Sequence, residues 1–155
     1  MIALAMTAGA PLVVTIRVRW GDCDPAGIAF FPRFFEWMDV ASEELHALLG
    51  IRRGGKQTRL ARGIPLVDVQ ARFSSPAFVD DEIEVRSWVV RIGKSSFGLR
   101  HEFVRAADGV LLATGQESRV YVARDVETGA LAPTPLTAEM REALGSRLEP
   151  SSPSP

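Results

Sequence analysis

The sequence predicts an α+β domain in which a five-stranded antiparallel sheet has one face covered by a single long helix. Three observations carry this: one stretch whose apolar residues step by three and four, several β-rich runs, and short turn-like gaps between those runs. The first strand is "LVVTIRVRW", residues 12–20, where β-branched residues give way to Ile16, Val18 and Trp20 alternating with Arg17 and Arg19. Such alternation makes one apolar and one wet face. A helix then starts near Pro32, since a first-turn proline lacks an N–H that would be unpaired there anyway. Phe34, Met38, Ala41, Leu45 and Leu48 fall on one stripe of it, and Gly50 marks its end. Residues 52–62, "RRGGKQTRLAR", are basic, polar and glycine-containing, which predicts an exposed loop. Four strand-like runs follow: "IPLVDVQARF" from Ile64, "DEIEVRSWVVRI" from Asp81, "SSFGLRHEFVRA" from Ser95 and "VLLATGQESRVYVA" from Val110. Ser74-Ser75-Pro76, Gly93-Lys94 and Ala107-Asp108-Gly109 separate them, and such short gaps join antiparallel neighbours. A short last helix begins near Thr137, with Glu139 in its first turn favourable to the helix dipole. The open sheet edges need pairing or protection, for which edge-to-edge dimerisation is an economical solution.

A length of 155 residues at 46% hydrophobic content fits one domain, placed at residues 12–148. Residues 1–11 are expected to be a flexible extension, and residues 149–155, "EPSSPSP", a disordered tail. The net charge of −1 offers no broad basic field to nucleic acid or an anionic membrane. No run approaches the roughly 18–20 apolar residues that span a bilayer. The single cysteine excludes an internal disulfide and a multi-thiolate metal site. A reducing, cytoplasmic setting and no cofactor are the expectations.

Between the first strand and the helix lies Gly21-Asp22-Cys23-Asp24-Pro25-Ala26-Gly27-Ile28. Aspartate before proline is common turn chemistry, and an acid near a helix start is commonly a cap. Asp22 is read as an organiser of the turn. Cys23 is a poor nucleophile, because the flanking carboxylates disfavour its thiolate and no histidine is near in sequence. His46 and His101 are read as packed or surface residues rather than general bases. Asp39 falls mid-helix beside the apolar stripe, where an acid is neither a cap nor a good helix former.

This octapeptide, followed by "FFPRFFEWMDVAS", resembles the hotdog-fold thioesterases, most closely the 4-hydroxybenzoyl-CoA thioesterase family. The likeness continues through "GIPLVDVQARFSSPAFVDDEIEV" and "KSSF", covering most of residues 13–125. It implies a sheet wrapped round the long helix, dimers or tetramers with active sites at a subunit interface, and an acyl-CoA substrate. Residue by residue, it puts the catalytic carboxylate at Asp24 and the carbonyl-polarising backbone N–H at Phe31. It puts Asp39 against a ring hydroxyl, and Phe30 at a position of the acyl pocket wall where the family carries other aromatics. Lys94, Ser95 and Ser96 match the basic-x-Ser-Phe segment that would meet the phosphates of coenzyme A, with Arg91, Arg100 and Arg124 as further options.

The chemistry is coherent. A helix start presents unpaired N–H groups and a positive dipole end to a developing oxyanion. Gly27 would let the backbone approach the substrate closely, and Pro32 would fix the helix entry. Asp24 would attack the carbonyl to give a mixed anhydride or activate water, with no metal required. The expected function is acyl-CoA thioester hydrolysis, with 4-hydroxybenzoyl-CoA or benzoyl-CoA as the type of substrate. The alternatives are a broad short- or medium-chain acyl-CoA or acyl-carrier-protein thioesterase, and a non-catalytic acyl-CoA-binding hotdog protein. Hotdog dehydratases and hydratases fit less well, because their catalytic histidine has no counterpart in the turn.

Overall fold

The computed structural model describes residues 9–50 and 62–150. The expected N-terminal extension up to residue 8, the basic loop up to residue 61 and the tail beyond residue 150 lie outside the described residues. Five strands form the main sheet: β1 (Leu12–Arg17), β3 (Leu66–Phe73), β4 (Glu82–Ile92), β5 (Ser96–Arg105) and β6 (Leu111–Val120). They pair antiparallel in the order β1-β4-β5-β6-β3. Helix α1 (Pro32–Leu48) buries Phe34, Trp37, Met38, Ala41, Ser42 and Leu45. This is the predicted stripe, widened by Trp37 and Ser42, except that Leu48 is only half-buried.

The core divides along the helix. At its N-terminal end Phe34 makes edge-to-face contacts with Trp37, Phe73 and Phe103, at centroid distances of 5.0, 5.2 and 5.1 Å. Each such pair adds about 0.5–1.5 kcal/mol beyond area burial. At the other end Leu45 and Leu49 join Val89, Phe97, Leu99 and Tyr121. Helix α2 (Ala138–Gly145) closes that end with Met140 and Leu144. Its N-cap is Thr137, whose hydroxyl accepts from the Met140 N–H at 3.1 Å.

Several expectations are corrected. The first strand ends at Arg17; Val18 is buried, but Trp20 is 86% exposed instead of inward-facing. The Arg19 N–H donates to Asp22 at 2.8 Å and the Cys23 N–H to the Trp20 carbonyl at 3.2 Å. These bonds wind Trp20–Asp22 into a 3-10 turn, which breaks the alternation. The run from Val110 is two strands, because the Tyr121 N–H turns away to the Ser95 carbonyl. Beyond that break β7 (Val122–Arg124) pairs with β2 (Arg62–Gly63) and β8 (Leu131–Pro133) in a second, three-stranded sheet. Its strands are too short for any alternation to show in sequence. Glu149, expected in the disordered tail, is docked: its N–H donates to the Val89 carbonyl at 2.8 Å and its carboxylate pairs with Arg100.

Candidate active site

The loop from Asp22 to Phe31 is held almost entirely by its own backbone. The Asp24 N–H donates to the Ile28 carbonyl and the Gly27 N–H to the Asp24 carbonyl, both at 2.9 Å. The Ala26 N–H donates to Asp24 Oδ1 at 2.8 Å, an Asx turn that fixes the carboxylate. Gly27 sits at φ +80°, with nothing within 4 Å of where a Cβ would stand. Its role in the fold is therefore left-handed backbone rather than room for a neighbour. The Ala29 N–H donates to the Ala77 carbonyl at 2.8 Å, which ties the loop to the segment after β3.

Asp22 is the organiser expected of it, accepting from Arg19 N–H and lying 3.5 Å from Arg33 Nε. Cys23 packs against the core edge. Burial first, then Asp22 and Asp24, push its thiol above the usual range, which disfavours the thiolate a nucleophile needs.

The first turn of α1 leaves one donor. Pro32 has no N–H, and the N–H groups of Arg33 and Phe34 donate to the Phe30 and Phe31 carbonyls at 2.9 and 3.2 Å. The Phe30 N–H donates to the Asp22 carbonyl at 2.8 Å. Among the described residues, only the Phe31 N–H of this group finds no acceptor. Asp24 and Phe31 line one cleft of about 500 Å³, walled by Phe30, Phe34 and Phe73 and rimmed by Ser74, Ser75 and Pro76. Phe30 and Phe31 are 46% and 56% exposed, so the rings present apolar surface to whatever enters.

The other predicted site residues are not in this cleft. Asp39 lies two turns further along α1, about 12 Å from Phe31 by helix rise. It accepts from Arg119 Nη2 at 3.0 Å. Lys94, Ser95 and Ser96 form the β4–β5 hairpin, at the end of those strands remote from the cleft. Ile83 pairs with Arg105 near the cleft and Ile92 with Phe97 at the hairpin. Nine residues of β4 separate these levels, or about 30 Å. The hairpin is braced by Arg141, which donates to the Gly93 carbonyl at 2.8 Å, and Ser96 Oγ accepts from Arg91 Nη1 at 3.1 Å. Arg100 is committed to Glu149 and Glu102 and lies over the Trp88 ring, and Arg124 donates to the Gly129 carbonyl. Among the described residues no group of three or more His, Cys, Asp or Glu side chains could hold a metal ion, and no helix is long and apolar enough to cross a membrane.

The model of the thioesterase-like superfamily matches residues 18–147. The chain belongs to that superfamily. A 4-hydroxybenzoyl-CoA thioesterase of Pseudomonas sp. (strain CBS-3) is 34% identical over 117 residues, covering 72% of this chain and 82% of the relative. A solved structure of the 4-hydroxybenzoyl-CoA thioesterase from that strain superposes with a TM-score of 0.73 at 28% identity, covering 86% and 99% of the two chains. A 1,4-dihydroxy-2-naphthoyl-CoA hydrolase of Parasynechococcus marenigrum (strain WH8102) is 31% identical over 106 residues, or 64% of this chain and 68% of the relative. The architecture is the hotdog thioesterase fold, and the chain is a thioester hydrolase.

In this thioesterase, sequence reasoning missed a buried polar row behind Asp39. Arg119 Nε and Nη2 donate to Glu117 at 3.0 and 3.2 Å, and Ser42 Oγ donates to Glu117 at 2.5 Å. His101 is wholly buried, with Ser87 Oγ 2.7 Å from Nδ1 and Glu117 3.6 Å from Nε2. Burial alone would raise the Glu117 carboxyl; the neighbouring His101 ring and Arg119 guanidinium outweigh that and hold it at about 2. One signal was available: Glu117 and Arg119 share the face of β6 that carries Ala113, the face of a strand expected to be apolar. Phe73, Ser74 and Ser75 were also missed as cleft residues, since their composition announced only a strand end and a turn.

Proposed function

We propose that this thioesterase hydrolyses acyl-CoA thioesters carrying a hydroxylated aromatic acyl group of the 4-hydroxybenzoyl type, yielding free acid and coenzyme A. The observation that carries this is the meeting of Asp24 and the unpartnered Phe31 N–H in one aromatic-walled cleft. A thioester carbonyl is already electrophilic, because sulfur donates poorly into it. Seated on the Phe31 N–H at the positive end of a 17-residue helix, its oxygen gains stabilisation as negative charge develops. Asp24 then either adds to the carbonyl carbon, expelling the thiolate of coenzyme A to leave a mixed anhydride that water hydrolyses to the free acid, or takes a proton from a water that attacks the carbonyl and expels the thiolate directly. The rings of Phe30, Phe31 and Phe73 suit a flat acyl group. Asp39 is assigned to its ring hydroxyl, and Gly27 to close backbone approach.

The phosphates of coenzyme A are assigned to Lys94, Ser95 and Ser96. A hairpin about 30 Å from the cleft level serves the same substrate most simply when a second copy supplies it. Edge strand β3 supports such pairing, with its outer backbone groups unpaired in the sheet and Val67, Val69 and Phe73 at 60%, 36% and 49% exposure. The relatives' activities by name, 4-hydroxybenzoyl-CoA thioesterase and 1,4-dihydroxy-2-naphthoyl-CoA hydrolase, support the acyl class.

The test is thiol release from 4-hydroxybenzoyl-, benzoyl- and hexanoyl-CoA and from an acyl-carrier-protein thioester. Preferred turnover of 4-hydroxybenzoyl-CoA is expected. Equal or better turnover of hexanoyl-CoA would remove the aromatic assignment, and cleavage of the carrier-protein thioester alone would remove coenzyme A.

A further inference from the structure

Strand β3 ends in an irregularity beside the cleft. The N–H groups of Ser74 and Ser75 both donate to one carbonyl, that of Leu112 on β6, at 2.8 and 3.1 Å. Two residues facing one across a strand pair make a β-bulge, which ends the pairing and re-aims a side chain. The segment beyond it is pinned from two further sides. The Pro76 carbonyl accepts from Arg105 Nη2 and the Ala77 carbonyl from the Ala29 N–H, both at 2.8 Å. Arg105 is itself fixed, because its Nε and Nη1 donate to Asp81 and Asp108 at 3.0 and 2.9 Å. All the bonds that hold residues 74–77 engage their backbone; among the described residues neither serine hydroxyl has a partner. Both serines line the cleft with Asp24, Ser74 exposed and Ser75 half-buried. Apart from these three residues, every side chain lining the cleft is apolar.

Hydrolysis needs a water on either route open to Asp24, at the thioester carbonyl or at the mixed anhydride. That water attacks fastest when its protons are engaged by fixed acceptors and a lone pair faces the carbon. Asp24 supplies one acceptor on the direct route: Oδ1 holds the Ala26 N–H, and among the described residues Oδ2 accepts no bond. A serine hydroxyl supplies the other, since it accepts as well as donates. Beside a flat acyl group, a cleft of about 500 Å³ has room for a water, about 30 Å³ in the liquid.

We propose that Ser75 is a positioning residue for the attacking water, which its hydroxyl holds in the cleft beside Asp24. This role rests on the assignment of Asp24 made above. On the direct route the water oxygen bonds to the carbonyl carbon, one proton passes to Asp24, and the C–S bond breaks with its electron pair on sulfur. The thiolate then recovers that proton from Asp24. On the other route the water attacks the anhydride, and the departing Asp24 carboxylate takes the proton.

The experiment measures kcat and KM for 4-hydroxybenzoyl-CoA in the wild type, Ser75→Ala and Asp24→Asn by thiol release. It is repeated with hydroxylamine, a small nucleophile that competes with water, and the hydroxamate formed per free acid is counted after subtraction of the enzyme-free reaction. The expected result for Ser75→Ala is a kcat lower by about tenfold with KM within about twofold. The hydroxamate-to-acid ratio should rise by about tenfold, since only water loses its holder. A merely structural effect would lower both products together and leave the ratio unmoved, which overturns the positioning role. A raised KM with kcat kept overturns it too, and makes Ser75 a substrate contact. Circular dichroism and thermal melting confirm folding, and Ser75→Cys, whose thiol accepts weakly, is used where Ser75→Ala does not fold. If Ser75→Ala keeps wild-type turnover while Asp24→Asn loses it, the Ser75 role falls and the Asp24 assignment stands. If Asp24→Asn keeps full turnover, the Asp24 assignment falls and takes the Ser75 role with it.

Discussion

Asp24 and Glu117 are two carboxylates beside the same helix, built in opposite ways. Asp24 stands in an open cleft, one oxygen held by the Ala26 N–H, and among the described residues no cation pairs with it. Glu117 is 3% exposed and shared among Arg119, Ser42 and the His101 ring. A carboxylate that must attack or take a proton needs access and spare lone pairs; one saturated by donors has neither. Helix α1 serves both, with its dipole end at the first and its Ser42 hydroxyl at the second.

The sharpest way to break this contrast is Asp24→Asn. The amide oxygen can still accept from Ala26 N–H, so the fold should hold while turnover of 4-hydroxybenzoyl-CoA falls by about 10²–10⁴-fold. Full activity in a thiol-release assay would take Asp24 out of the mechanism. Glu117→Ala should do the reverse and act on stability first, because it leaves the buried Arg119 Nε without its acceptor. Urea denaturation should show a loss of about 3–5 kcal/mol, and a change below 1 would mean that Arg119 finds water instead.

Acid tests the buried carboxylate by itself. Glu117 is held at about 2 in the fold against an ordinary 4.5, so its contribution is complete above about 4.5 and is lost as pH falls through about 2. The amount at stake is about 3 kcal/mol, and Glu117→Gln should flatten the stability profile in that window. The smallest effect is expected for Gly27→Ala, at about 1–2 kcal/mol, because any Cβ at φ +80° is strained although the space is open. A Tm equal to that of the wild type would show that the loop relaxes.

The main elements were legible because each follows from a local rule. Pro32 and the four-and-three stripe announce α1, a strand-like run bounded by turn residues announces β4, and Thr137 announces the start of α2. Trp20 was misplaced because a 3-10 turn, set by the Asp22 side chain, overrides the two-residue period. The Asp22–Phe31 loop was legible through its motif, and the motif's backbone bonds are nearly all local.

Residue order was therefore enough for the element types, the Asp24 turn and the start of α1, since these depend on neighbours within a few residues. The folded arrangement was needed to show that Asp39 answers to Arg119, 80 residues away. It also decided that the Lys94 hairpin stands at the far end of β4. Such pairings depend on strand register and on how closely α1 lies against β6, and neither leaves a trace in residue spacing.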